Sequence, residues 1–178
     1  MDILSTLYGA PNVLLLANNV SVNNNASEAS IFSVSVPAGS MGANGLVWFD
    51  VKGRLFNNSG AGRTITLRFK FGSTTFAFTT ASYTATTFSR GFSLDASLQN
   101  TNNASAQLFN ASFRLGAAPV DGGSIASTAY VLNGELYGAS AEATSSAKTL
   151  ELTAQHSAAN ANLTAYFDRI AVYLLPKT

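Results

Sequence analysis

The sequence predicts an all-β fold, an antiparallel β-sandwich of jelly-roll type with about eight to ten strands. Three observations carry that expectation. Ten stretches alternate apolar and polar residues with a period of two, recurring roughly every dozen residues. No stretch of useful length shows the apolar period of an amphipathic helix, so the crossover helices of a parallel α/β sheet are missing. No repeat of fixed length is present, which excludes propellers and β-helices.

Residues 1–12 read as an N-terminal leader or arm and residues 13–178 as a single sandwich domain. Val13 to Ala17 is a short apolar run, long enough for a strand, followed by the polar stretch Asn18 to Ser30. Ile31 to Val36 alternates with Phe32, Val34 and Val36 on one face and stops at Pro37-Ala38-Gly39. From Gly45 to Phe56, Val47, Phe49, Val51 and Leu55 form an inward face while Asp50, Lys52 and Arg54 point outward. Gly53 falls on the inward side, where a strand glycine marks a bend or a close backbone approach. The loop Asn57 to Gly62 is expected to close a hairpin onto the next strand, in which Ile65, Leu67, Phe69 and Phe71 oppose Thr64, Thr66, Arg68 and Lys70.

Further along, Thr74 to Thr80 turns Phe76 and Phe78 inward, and Phe88 to Leu98 does the same with Phe92, Leu94 and Leu98. After the polar tract Gln99 to Ser105, Phe109, Ala111, Phe113 and Leu115 alternate with Asn110, Ser112 and Arg114. Tyr130 to Tyr137 is interrupted at Asn133-Gly134 and reads as one bulged strand in preference to a tight hairpin. Lys148 to Gln155 buries Leu150, Leu152 and Ala154. The final run, Leu163 to Leu175, buries Leu163, Ala165 and Phe167 and then Ile170, Val172 and Leu174. That slip of one residue across Asp168-Arg169 predicts a bulge, and the apolar character of the run predicts a central strand.

Hydrophobic residues make up 47% of the chain and charged ones only 11%, against about 25% charged in an average soluble domain. Ser, Thr and Asn must supply most of the wet surface, and such a surface is adhesive or covered by a partner. The net charge of +1 creates no field to draw in nucleic acid or an acidic membrane, so neither is expected as a partner. Cysteine is absent, which removes disulfides, thiolate zinc sites and cysteine nucleophiles. Asp2 stands where a signal peptide carries base, and no apolar run reaches a membrane span, so the chain is expected to be made in a cytoplasm and not exported by the usual route. The Asn-x-Ser/Thr triplets at Asn19, Asn25, Asn57, Asn103, Asn110 and Asn162 are what chance produces in a chain this rich in those residues.

Reactive groups are sparse. His156 is the one histidine and has no G-x-S-x-G elbow to serve, so it reads as a lone surface or loop-end residue. A metal site has only carboxylates and carbonyls to draw on, and Asp121-Gly122-Gly123 lacks the repeated acids of a calcium loop. The carboxylates are scattered, and none of them forms a recognisable glycosidase pair. No catalytic residue, cofactor or metal is therefore expected, and the chain reads as a protein that binds or builds. Lys52, Arg54, Arg63, Arg68 and Lys70 crowd the predicted hairpin, a candidate patch for an acidic partner unless it is an ordinary solvated face. Trp48 lies outside the inward set of its own strand and is a candidate for a binding surface or a subunit contact. Trp48, Arg54, Arg68 and Lys70 are accordingly the candidate interface residues.

The run Gly45-Leu46-Val47-Trp48-Phe49-Asp50-Val51-Lys52-Gly53, the segment Asn57 to Gly72, Lys148 to Gln155 and the closing Val172-Tyr173-Leu174-Leu175 together resemble jelly-roll structural proteins of tailed bacteriophages. Capsid decoration (cement) proteins and fibre-tip domains belong to that group. The resemblance covers about two thirds of the chain as a pattern of strands and turns. It implies a non-enzymatic virion component, a homotrimer bound to the major capsid protein or another virion protein on the capsid exterior or a fibre. Under that reading the leader is a clamp onto a neighbour. The alternative is a receptor- or carbohydrate-binding fibre-tip module that uses Trp48 or tyrosines as stacking platforms. A coat protein of a small RNA virus is set aside, because residues 1–51 contain no Lys or Arg for a genome-neutralising arm.

Overall fold

The computed structural model describes residues 11–119 and 130–176. The leader up to Ala10 and the Asp121-Gly122-Gly123 turn lie outside the described residues. Among the described residues ten strands form: β1 (Asn12–Asn23), β2 (Ala29–Val36), β3 (Leu46–Asn57), β4 (Ile65–Phe71), β5 (Thr74–Thr79), β6 (Arg90–Asn100), β7 (Gln107–Pro119), β8 (Tyr130–Ser140), β9 (Lys148–His156) and β10 (Leu163–Leu175). A large sheet of six strands runs β1-β10-β3-β6-β7-β8 and a small sheet of four runs β2-β9-β4-β5, with every pairing antiparallel.

The pairs β1–β10, β2–β9, β3–β6 and β4–β5 are those of one long ribbon bent at the β4–β5 turn and wound into two layers. This is the expected jelly roll. Strands β7 and β8 are inserted between β6 and β9 and extend the large sheet beyond β6.

The Asn57–Gly62 loop does not close a hairpin. Strand β3 pairs with β10 and β6, whereas β4 pairs with β5 and β9, so the loop is a corner between sheets. Alternation dictates which face of a strand is buried, but two strands with one apolar face each are satisfied equally by pairing edge to edge or by facing each other across a core. Asn57 holds the corner: its amide donates to the carbonyls of Ala61 (3.0 Å) and Tyr83 (3.2 Å), and its Oδ1 accepts from Ser59.

Strand β1 also runs further than its apolar segment, through the polar stretch to Asn23. As an edge strand it leaves Asn18, Ser21 and Asn23 in solvent while Val22 reaches the core. The predicted bulge in β10 is present: the β10–β3 register shifts between Phe167 and Arg169, leaving Asp168 unpaired, and β10 is an internal strand flanked by β1 and β3. Strand β8 is continuous through Asn133-Gly134. Its ladder with β7 shifts instead between Leu115 and Gly116, so the irregularity lies nearer the start of the strand.

The core is aromatic at its centre. Phe69 lies between Phe49 (5.5 Å) and Phe109 (5.0 Å), and Phe76 stacks on Phe109 at 4.4 Å. Space for the β5 rings comes from glycines on β8, because a Cβ on Gly134 would sit 2.3 Å from Phe78 and one on Gly138 would sit 2.5 Å from Phe76. Gly53 is a close approach of the expected kind, with Tyr166 O and the Phe92 ring occupying the position of a side chain.

His156 is not a surface residue. It continues the inward series Leu150, Leu152, Ala154, is 1% exposed, and places Nε2 3.2 Å from the Val22 carbonyl. Burial pushes its pKa below the usual 6.5 by penalising the charged ring.

Candidate functional site

The basic residues of β3 and β4 divide between the two outer faces of the sandwich, so the single patch expected from a hairpin does not form. On the large sheet Lys52 pairs with Asp50 (2.7 Å) and Asp95 (3.4 Å), and Arg54 pairs with Asp168 through Nε at 2.8 Å while lying over the Tyr166 ring. Asp50, buried at this face, also pairs with Arg169. On the small sheet Glu28 reaches up from the β1–β2 loop to Lys70 (2.5 Å) and Arg68 (3.6 Å), and Lys70 also faces Glu151. The hydrogen bond from Lys70, with a second from Thr153, lowers the Glu28 pKa, and the same bond raises that of Lys70. Both cation groups are neutralised by acids of the same chain, which leaves neither as a patch of uncompensated positive charge.

Glu142 is engaged in the same way. It accepts from Ser73 N (2.7 Å), Ser73 Oγ (2.5 Å) and Lys148 Nζ (2.8 Å); the ammonium and the seryl donors bring its pKa down to about 2. It belongs to a buried polar cluster with Gln107, Asn100 and Thr144 that ties the loops at one end of the sandwich. Among the described residues no three of His, Asp and Glu come together as a metal site would require.

The outer face of the large sheet is the distinctive surface. Cross-strand partners in an antiparallel ladder share a side of the sheet, so the register lays out its rows. One row crosses every strand: Val13, Tyr173, Trp48, Ser97, Asn110 and Tyr137. The row beyond it reads Leu175, Leu46, Gln99, Leu108 and Ala139. On the other side lie Leu16, Ala171, Asp50, Asp95, Ser112 and Glu135, followed by Asn18, Arg169, Lys52, Ser93, Arg114 and Asn133. The face therefore changes within one strand from uncharged and aromatic to charged, with the boundary between Trp48 and Asp50.

The uncharged end has two aromatic platforms. Trp48, 40% exposed, stacks on Tyr173 with ring centroids 5.4 Å apart, and Tyr137 stands 71% exposed on β8. Three strand spacings separate β3 from β8, or about 14 Å. Between them Ser97 and Asn110 form a polar floor, with Ser97 Oγ 3.5 Å from Asn110 Oδ1. Two open hollows meet at Ser97. One, of about 260 Å³, is lined by Gln99, Leu108, Asn110 and Tyr137; the other, of about 340 Å³, is lined by Leu46, Trp48 and Leu175.

Of the candidate interface residues, Trp48 belongs to this aromatic end, Arg54 to the charged end of the same face, and Arg68 and Lys70 to the opposite face. Sequence reasoning missed Tyr137, Leu108, Ser97 and Asn110. Ser97, Leu108 and Asn110 occupy outward positions next to legible alternating series, whereas Tyr137 ends the interrupted Tyr130 to Tyr137 stretch, whose faces the sequence pattern leaves unassigned; only the sheet order brings all four beside Trp48.

No family model matches the chain, and no curated protein matches it. Two solved structures are similar. The CBM2 module of the evolved Dit of Lactobacillus casei BL23 phage J-1 is 10% identical, over 92% of this chain and 77% of that one, with a TM-score of 0.37. A chain from the structure of infectious bursal disease virus Gx strain is 11% identical, over 95% of this chain and 43% of that one, with a TM-score of 0.33.

Proposed function

We propose that this chain is a non-enzymatic structural component of a virion and that it works by binding through the outer face of its large sheet. The observation that carries the choice of face is the distribution of exposed apolar groups. Val13, Leu16, Trp48, Leu108 and Tyr137, the large hydrophobic residues exposed among the described residues, all lie on this face. Scattered single exposures need no explanation, but the confinement of all five to one of the two outer sheet faces singles that face out as the one a partner covers.

The finer reading drawn from the strand pattern is a homotrimeric capsid decoration protein, made in the host cytoplasm and seated on the outside of the head against the major capsid protein. Neutral, Ser- and Thr-rich surfaces with one apolar face suit symmetric assembly. The tests are solution mass and capsid attachment. A species near three times the 18.5 kDa chain that co-sediments with undecorated capsids is the expected result. Trp48→Ala and Leu108→Glu are expected to lose that attachment, and attachment unchanged in both variants would remove the face from the proposal.

The polar floor between Trp48 and Tyr137 favours a second reading, a receptor- or carbohydrate-binding module at a fibre tip. A purely protein-covered apolar patch has no need of hydrogen-bonding groups at its centre.

A further inference from the structure

We infer that the aromatic end of the large sheet is a binding strip for a neutral oligosaccharide, running across the strands from Trp48 to Tyr137. This rests on the second reading, a carbohydrate-binding module working through that face, and names the class of glycan. Three features of the strip select the chemistry.

The first is charge. The two rows that build the strip, from Val13 to Tyr137 and from Leu175 to Ala139, contain no Asp, Glu, Lys, Arg or His, and the nearest charged row has Asp50 paired to Arg169 and Lys52. A phosphorylated, sulfated or sialylated ligand would find no cation there to offset its desolvation.

The second is the alternation of ring and hydrogen-bonding groups. An aromatic face is electronegative and attracts the weakly positive C–H face of a pyranose, while the sugar's hydroxyls need partners at its edge. Trp48 backed by Tyr173 supplies one such face and Tyr137 another, with Ser97 and Asn110 between them and Gln99 alongside. Stacking on a rigid aromatic with hydrogen bonds to a serine and an amide suits a ligand that is apolar on its ring faces and polar around its rim.

The third is length. About 14 Å from Trp48 to Tyr137 across three strand spacings is the reach of a short oligosaccharide and exceeds that of a single sugar ring. The two hollows that meet at Ser97 give successive rings separate seats along one line.

Trp48 is the only tryptophan in the chain, so its fluorescence reports on the strip alone. The experiment is a titration of the full chain with cellotetraose, xylotetraose, maltotetraose, chitotetraose and a galactan oligosaccharide, alongside a printed array of neutral and acidic glycans. The expected result is a saturable change in Trp48 emission with at least one neutral oligosaccharide, insensitive to salt. Tyr137→Ala and Asn110→Ala are expected to weaken it by about tenfold or more. Thr66→Ala and Thr79→Ala, on the small sheet's outer face, are expected to leave it unchanged, and far-UV circular dichroism checks that each variant is folded. Binding confined to acidic glycans overturns the inference, as does the absence of any glycan bound. If no glycan binds while Trp48→Ala still abolishes capsid attachment, the ligand assignment fails and the working surface stands. If neither is affected, both fail.

Discussion

Trp48 stacks on Tyr173 across the β3–β10 ladder, with their ring planes inclined by 22°. The two residues are direct cross-strand partners, so the pleat places them side by side and Tyr173 fixes the plane of the indole. A double-mutant cycle with Trp48→Ala and Tyr173→Ala is expected to return a coupling of about 1 kcal/mol in urea denaturation. A coupling near zero would show that the indole is held by its own strand and not by its neighbour.

The glycines of the sandwich differ in what presses on them. At Gly53 an added Cβ would lie 2.1 Å from the backbone oxygen of Tyr166, whereas at Gly134 it meets the edge of the Phe78 ring. Backbone in a central ladder yields less than a side-chain ring. Gly53→Ala is therefore expected to destabilise by about 3 kcal/mol and Gly134→Ala by about 1 kcal/mol. Phe78→Leu in the Gly134→Ala background should recover part of the loss. Equal destabilisation at the two sites would contradict this difference in packing.

Glu142 ties acid stability to the polar end of the sandwich. Its folded pKa of about 2 lies below the ordinary 4.5, so the folded state favours the carboxylate. Its contribution is complete above pH 4.5 and is lost as the pH falls toward about 2. Glu142→Gln keeps an acceptor for Ser73 but loses the charge facing Lys148. The variant should be less stable at neutral pH and show a shallower loss of stability with acid, measured as denaturation midpoints across that range.

His156 acts with the same overall sign by another route. Its folded pKa is lowered below 6.5 because burial disfavours the imidazolium, so the unfolded chain binds the proton more readily. Stability is unaffected by this group well above pH 6.5 and declines as the pH drops below that value. His156→Leu keeps an apolar side chain at an inward position and should flatten the stability profile just below pH 6.5. A slope identical to that of the parent chain would assign the titration elsewhere.

Much of this architecture is legible in the order of residues. The bulge at Asp168 is visible because an extra residue in a strand shifts the phase of alternation, and the inward Gly53 is visible because a glycine breaks a large apolar series. His156 was misread for want of following the same alternation one step past Ala154, where a polar residue occupies a core position. The corner at Asn57 was misread for a deeper reason. Loop residues that tolerate positive φ serve hairpins and sheet-to-sheet corners alike, and the choice between them is made by distant partners: β10 and β6 for β3, β9 and β5 for β4.

The outer face of the large sheet shows the same division. That Trp48 points away from the core follows from its place in an alternating strand, as does the outward position of Asn110. Side-chain period is a local property of extended backbone, so the sequence by itself determined which residues are inside, which are outside, and that the chain is all-β. Strand neighbourhood is not local. Trp48 and Tyr137 lie on one row because the long-range pairs β3–β6, β6–β7 and β7–β8 align them, and Arg54 and Arg68 lie on opposite faces because β3 and β4 join different sheets. Only the tertiary structure decided those two outcomes, since pairing is chosen by burying every inward face at once and no single segment carries that information.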